Sequence, residues 1–260
     1  VLVKDALKPG PIDVALLTFN SERKLRECID GIYRNVPVNR LLVVDGFSSD
    51  GTLAILEEYK RRYGNVVVVQ EKGTRGSARQ TAIGLVKTEW FMFVDSDVVL
   101  SDCWFEKAWA LVDEKVGAVW GIEIWSVLRS SKVLPIFERV TLQIFEERGG
   151  THDLLVRTKS VAGIHIPFEL HTYEDGYIKR WIERNGFRVV GVYDPYCMHY
   201  RPEQVWTLEK HIGFAVSDLK YAIWRPKLML SYGFYTAIVA VQIFLSGRDK
   251  KQAQQQNKAK

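Results

Sequence analysis

The chain has 260 residues, 47% of them hydrophobic, enough for the core of one large domain or two small ones. Its formal net charge of +5, part of it from Lys250, Lys251, Lys258 and Lys260, does not demand a nucleic-acid partner and fits an anionic small substrate or a lipid surface equally well. Cys28, Cys103 and Cys197 are odd in number and lack any CxxC spacing, which excludes a zinc or dithiol motif and leaves reduced thiols in a cytosolic compartment, with no signal peptide, as the expectation.

The first half alternates between strand and helix patterns. Residues 12–17 read as a strand, and 22–33 carry apolar residues at Leu25, Ile29, Ile32 and Tyr33, a helical spacing. Residues 40–44 form the next strand, and Asp50 stands where it would cap a helix over 52–63. A third strand over 66–69 and a helix over 75–86 follow, then a fourth strand over 90–94. This alternation predicts right-handed βαβ units and a mainly parallel sheet flanked by helices. Ligands of such sheets bind at the carboxyl ends of the strands. Those ends are Thr18-Phe19-Asn20, Asp45-Gly46, Gln70-Glu71 and Asp95-Ser96-Asp97.

The second half is less regular. Residues 116–125 read as a strand, 132–147 as a helix with Pro135 in its first turn, and 173–185 as an amphipathic helix closed by Gly186. A short strand covers 187–192. The stretch 228–245 is nearly free of charge and has basic flanks, so it either contacts a membrane, lying on it or spanning it, or packs as a buried helix. The preceding segment, 205–224, is amphipathic and rich in Trp and Lys, and 252–260 reads as disordered.

The aspartates in Asp95-Ser96-Asp97 end an apolar run, Trp90 to Val94. Carboxylate oxygens suit hard divalent cations, which are commonly bound through one or two carboxylates together with substrate phosphates. An Asp-X-Asp at a strand end is therefore a place to hold a metal–diphosphate; the plainer alternative is a solvated turn with a helix cap.

Taken in order, the motifs resemble those of the family-two glycosyltransferases of the GT-A fold. The resemblance rests on Val14–Asn20, on Val43-Val44-Asp45-Gly46-Phe47-Ser48-Ser49-Asp50-Gly51-Thr52, on Gly76-Ser77-Ala78-Arg79-Gln80, on Asp95-Ser96-Asp97 and on Glu174-Asp175, and covers residues 12–201. It implies an α/β, Rossmann-like GT-A catalytic domain over 1–201. A helical, membrane-associated region over 202–248 and a disordered tail over 249–260 complete the expected organisation.

The resemblance also implies roles. Thr18, Phe19 and Asn20 would hold the base and ribose, and Asp45 would accept hydrogen bonds from the base. Arg75 and Arg79 would lie near the ribose or diphosphate, where a guanidinium can pair with two oxygens. Glu22, Ser96 and Glu174 belong to the same nucleotide-sugar site. Asp97 would coordinate Mn2+ or Mg2+ directly, Asp95 would contact the ribose or the metal, and His199 would complete the metal site. Asp175, at a helix N-terminus, would be the general base; with a phosphate acceptor, already ionised, it would orient rather than deprotonate. His165 and His171 match no family role and read as acceptor-side loop residues.

The sequence departs from the family where Gly46-Phe47 replaces Asp-Gly, where Gln80 replaces Asn, and between Gly149 and Glu174, where the usual acceptor-side segment is missing. It also lacks the Gln-x-x-Arg-Trp of processive polymerases, so transfer of a single sugar is expected. The implied function is inverting, metal-dependent transfer from a nucleoside-diphosphate sugar to a lipid or glycan acceptor at the cytoplasmic face of a membrane. GDP-mannose is preferred to UDP-glucose by analogy with lipid-linked mannose synthases, and no nucleic acid is involved. The rivals are a sugar nucleotidyltransferase, disfavoured by the lack of a Gly-rich basic loop after the first strand, and a non-catalytic sugar-nucleotide or membrane-binding module.

Overall fold

The computed structural model describes residues 10–125, 149–171, 173–200 and Pro226. The chain separates into two compact units, Val1–Tyr200 and Arg201–Lys260. All elements described below belong to the first. The predicted helix over 132–147, the segment 205–224, the apolar stretch 228–245 and the tail lie outside the described residues.

Four parallel strands form one half of the sheet: β1 (Ile12–Thr18), β2 (Val38–Asp45), β3 (Val66–Gln70) and β4 (Trp90–Asp95). Phe91, Met92, Phe93 and Val94 are fully buried, which is why β4 reads as an unbroken apolar run and not as an alternation. Helices α1 (Leu25–Asn35), α2 (Thr52–Tyr63) and α3 (Arg75–Leu85) supply the crossovers. Helix α1 buries Leu25, Cys28, Ile29 and Ile32, an i, i+3, i+4, i+7 stripe, in the core beside Val14 and Leu16. Gly64 closes α2 in the left-handed conformation (φ 71°), where a side chain would be strained.

The remaining elements are β5 (Val98–Leu100), α4 (Trp104–Trp109), β6 (Val116–Trp125), β7 (Asp153–Arg157), a 3-10 turn over Thr158–Val161, α5 (Glu174–Arg184) and β8 (Arg188–His199). The sheet order is β3-β2-β1-β4-β7-β6-β8-β5. Strand β7 runs antiparallel to β4 and β6, and β5 antiparallel to β8, so the sheet is mixed. The chain leaves β1 in one direction for β2 and β3 and returns on its other side as β4. That switch point is where open α/β sheets bind ligands. Register aligns Thr18 with Asp45, Asp45 with Gln70, and Leu17 with Asp95 along one carboxyl edge.

Some boundaries differ from those read in the sequence. Gly51, not Asp50, occupies the position before α2; Asp50 instead accepts from the Thr52 amide (3.0 Å) and hydroxyl. The strand read over 187–192 extends to His199, because β8 pairs with β6 and then with β5. Among the described residues no helix is long and apolar enough to cross a membrane.

Candidate active site

Asp45, at the end of β2, is fully buried. It accepts from the Thr18 hydroxyl (2.9 Å), the Ser48 amide (2.9 Å) and hydroxyl (2.6 Å), and Gln70 Nε2 (3.2 Å). Burial alone would raise its pKa, but these donors outweigh it and hold the carboxyl below its ordinary value. Four bonds fill the acceptor capacity of a carboxylate. Asp45 therefore ties the ends of β1, β2 and β3 together, and a nucleobase would have to exchange with one of its present donors to reach it.

Two loops are laced together beside Asp45. Asn20 donates its amide to Ser48 Oγ (2.9 Å) and accepts from the Ser49 amide (2.9 Å). Glu22 accepts from the Gly51 amide (2.8 Å) and donates its own amide to Asp50 (3.1 Å), so its carboxylate ties loops rather than standing free. A Cβ on Gly51 would fall 2.8 Å from that carboxylate, so a side chain there would push Glu22 aside. Phe19 and Phe47 remain more than half exposed. Phe47 takes the left-handed conformation (φ 61°) at the position where the family resemblance calls for glycine.

In the Asp95-Ser96-Asp97 motif each side chain has its own partner. Asp95 pairs with Arg79, and its amide donates to the His152 carbonyl (3.2 Å). Ser96 shares a hydroxyl bond with Ser21 (2.7 Å). Asp97 Oδ2 lies 3.0 Å from His199 Nε2. An oxygen and an imidazole nitrogen converging at this distance fit a divalent cation such as Mn2+, with phosphate and water oxygens completing its shell. The His199 ring is 2.6 Å on its other side from Glu123 Oε2, a residue the sequence reading passed over.

Arg79 is 1% exposed, which the sequence reading did not foresee; Arg75 is on the surface at the start of α3. Arg79 Nη2 also donates to Thr151 Oγ1 (3.1 Å), and its guanidinium lies 4.8 Å from the Phe93 ring centre. Its Nε and Nη1 and Glu174 Oε2 are buried without hydrogen-bond partners. Buried polar atoms are normally satisfied, so these three mark a polar strain point between α3 and α5. Burial, then the charge of Asp175, pushes the Glu174 carboxyl up to about 7, while Arg75 and Arg79 pull the other way. Glu174 and Asp175 form the first turn of α5, where the helix dipole favours negative charge. Asp175 is 9% exposed and accepts from the Gly176 amide (2.7 Å).

The segment between Gly163 and His171 packs on α3. The Gly76 amide donates to the Leu170 carbonyl (2.9 Å), Thr74 Oγ1 donates to the Phe168 carbonyl, and Gln80 Oε1 accepts from the Ile166 amide (2.8 Å). Gln80 thus pins this segment. His165 is exposed, and its carbonyl accepts from Tyr177 (2.9 Å).

Among the described residues one further His/Cys/Asp group converges: His152, Asp153 and Cys197. His152 Nδ1 lies 2.8 Å from Asp153 Oδ1 and 3.4 Å from Cys197 Sγ, and Trp104 donates to Asp153 Oδ2 (2.8 Å). Burial holds the Cys197 thiol protonated, and His152 and Asp153 already face each other. This group reads as support behind the Asp95 backbone rather than as a metal site. An open cleft beside Lys87, Thr88 and Lys159 lies at the amino end of β4, the wrong edge of the sheet for the chemistry.

Comparison with known proteins agrees with this geometry. The family described as Glycosyl transferase family 2 matches residues 13–148, more than half of the chain. The chain belongs to that family. Among curated relatives, the poly(ribitol-phosphate) beta-glucosyltransferase of Bacillus spizizenii is 36% identical over 92 residues, covering 33% of this chain and 14% of that protein. The poly(ribitol-phosphate) beta-N-acetylglucosaminyltransferase TarS of Staphylococcus aureus is 32% identical over 107 residues, 39% of this chain and 18% of that protein. The matched region is thus a small part of either relative. Among solved structures, the mannosyltransferase PcManGT of Pyrobaculum calidifontis, in complex with GDP-Man and Mn2+, has a TM-score of 0.67 at 17% identity, covering 93% of this chain and 76% of that one. TarS 1-349 with UDP-GlcNAc has a TM-score of 0.58 at 21% identity over 80% of this chain and 66% of that one. These likenesses establish the fold.

Proposed function

We propose that this chain transfers one hexose from a nucleoside-diphosphate sugar to an acceptor hydroxyl, with inversion, in the presence of Mn2+ or Mg2+. The observation that carries this reading is Arg79, a buried cation that pairs with Asp95 of the Asp-X-Asp motif and is felt by Glu174 of the Glu-Asp motif. One side chain thereby joins the two motifs that a transferase needs together.

Asp97 and His199 would hold the cation, which when bound neutralises charge developing on the diphosphate leaving group. Thr18, Phe19, Asn20 and Asp45 would receive the base and ribose. Arg75, exposed at the amino end of α3, would meet phosphate oxygens. Asp175 would take the acceptor proton as the oxygen attacks the sugar carbon; for a phosphate acceptor it would orient instead.

GDP-mannose is the first donor to test, supported by fold likeness to PcManGT over 93% of this chain. UDP-glucose and UDP-N-acetylglucosamine follow, supported by the sugars in the names of the poly(ribitol-phosphate) enzymes. The basic, aromatic stretch over 205–251 supports an acceptor held at the cytoplasmic face of a membrane, a lipid phosphate or a polyol-phosphate chain.

The test is release of nucleotide from each sugar nucleotide, with Mn2+ or chelator, for wild type beside Asp97→Ala. We expect metal-dependent release from one donor and a loss of about a thousandfold in the variant, the scale of several kcal/mol of metal stabilisation. Absence of both turnover and nucleotide binding would overturn the reading.

A further inference from the structure

We infer that Glu123 is a positioning residue for the metal site, acting through His199. The inference rests on the metal reading above and goes beyond it, since Glu123 belongs to none of the motifs on which that reading rests.

Strand β8 lies between β6 and β5 in the sheet. His199 ends β8, Glu123 stands on β6, and Asp97 immediately precedes β5, whose first residue, Val98, is opposite His199 in the register. The imidazole is thus bracketed by two carboxylates: Glu123 Oε2, from β6, at 2.6 Å from Nδ1 and Asp97 Oδ2, from the turn before β5, at 3.0 Å from Nε2. Asp97 is the most exposed of the three. The side chains of His199 and Glu123 are 10% and 13% exposed, while Asp97 is 32% exposed. A cation would be held by Asp97 and Nε2, and Glu123 lies on the other side of the ring.

Three consequences follow from that placement. A nearly buried carboxylate on an interior strand is costly unless paired, and His199 is one partner it has. A bond donated from Nδ1–H to Glu123 fixes the tautomer, so that the Nε2 lone pair faces Asp97. It also fixes the ring plane. Carboxylates in this position behind metal-binding imidazoles change metal affinity by about 10–100-fold when removed. In this inference Glu123 acts by presenting His199.

The experiment measures Mn2+ binding rather than turnover. Free Mn2+ is read by electron paramagnetic resonance while it is titrated into the full chain with GDP or UDP present. Wild type is compared with Glu123→Ala, Glu123→Gln, His199→Ala and the Glu123→Ala/His199→Ala double variant, each first confirmed folded by circular dichroism and thermal melting. We expect Glu123→Ala to bind Mn2+ about 10–100-fold more weakly. Glu123→Gln, which keeps an acceptor oxygen for Nδ1–H, should regain most of that loss. The double variant should bind no more weakly than His199→Ala, because residues that act as a unit are not additive. Wild-type affinity in folded Glu123→Ala overturns the inference, as does a double variant weakened by both factors multiplied, since Glu123 would then act without His199. A Glu123→Gln as weak as Glu123→Ala also overturns it, because charge and not orientation would be at stake. If the wild-type chain itself retains no Mn2+, the metal reading falls, and the Glu123 role with it.

Discussion

Arg79 pairs with Asp95 from inside the protein: the guanidinium is 1% exposed and the carboxylate about one-third exposed. The Asp-X-Asp motif is therefore asymmetric. Asp95 faces a buried cation and Asp97 faces an imidazole. The cation on Asp95 answers the question of how two aspartates, one residue apart, are held at the end of a buried strand without repelling each other. It also fixes the end of β4 against α3, because Arg79 arises from the middle of that helix.

Arg79→Met should accordingly destabilise the fold as well as the site. Breaking a buried pair by removing one partner costs about 3–5 kcal/mol when both ions are buried. Solvent at Asp95 lowers the expectation here to about 2–3 kcal/mol. Urea unfolding of the variant beside wild type measures it. A difference below about 0.5 kcal/mol, the range of ordinary surface substitutions, would mean that Asp95 finds other partners at little cost.

Asp175→Asn separates a base from an orienting group. If Asp175 takes a proton from an acceptor hydroxyl, kcat should fall about 10²–10⁴-fold while donor and Mn2+ affinities stay put. If the acceptor is a phosphate, the fall should be far smaller. Steady-state kinetics with a hydroxyl and a phosphate acceptor, run on the same preparation, distinguish the two, and a variant that loses donor affinity instead would place Asp175 in the nucleotide site.

Glu174 should make stability depend on pH in the direction opposite to most carboxylates. Burial and the neighbouring Asp175 raise it from an ordinary 4.5 to about 7 in the folded chain. Between these values the folded protein keeps a proton that the unfolded chain releases. Its contribution is therefore fully present below about 4.5 and is lost as pH rises to about 7. At about 1.4 kcal/mol per unit this amounts to roughly 3–4 kcal/mol. Asp153, raised to about 6 by burial, has the same sign. Urea midpoints should fall for wild type from pH 5 to 7.5, and Glu174→Gln should remove most of the slope; identical slopes would show that Glu174 is not held neutral.

The parts of the site legible in the sequence are the local ones. The ends of β1, β2 and β4 announce themselves because an apolar run stops at a polar residue, and Glu174-Asp175 because the run that follows is amphipathic. Glu123 could not be found this way: its partner His199 is 76 residues away, and on the page it is one acid inside a strand. The same holds for β5, three residues long and defined only by pairing with β8, and for β7, whose antiparallel place between β4 and β6 no periodicity encodes. The sequence marks Arg79 as functional but not as buried, since one cation on a helix reads as solvated until the strand beneath supplies Asp95. A hint was available for Glu123: a charged residue between Ile122 and Ile124, both buried, calls for a partner.

Phe47 supplies the last prediction. Its backbone is left-handed at φ 61°, a conformation that bulky side chains adopt at a cost of about 1–2 kcal/mol. The loop enforces it, because Ser48 must bond Asp45 through both amide and hydroxyl while Asn20 holds Ser48 and Ser49 from the other side. Asparagine tolerates this region and does not add the unfolded-state entropy of glycine. Phe47→Asn should therefore melt a few degrees higher than wild type, roughly the 2–4 °C that 1 kcal/mol shifts a domain of this size. Phe47→Val, β-branched and least suited to positive φ, should melt lower. Differential scanning calorimetry on the three proteins reads the order. If it is reversed, the exposed ring stabilises the free protein more than the backbone strains it. If the order holds and donor affinity falls in Phe47→Asn, the strain is retained for the sake of an aromatic surface beside the base.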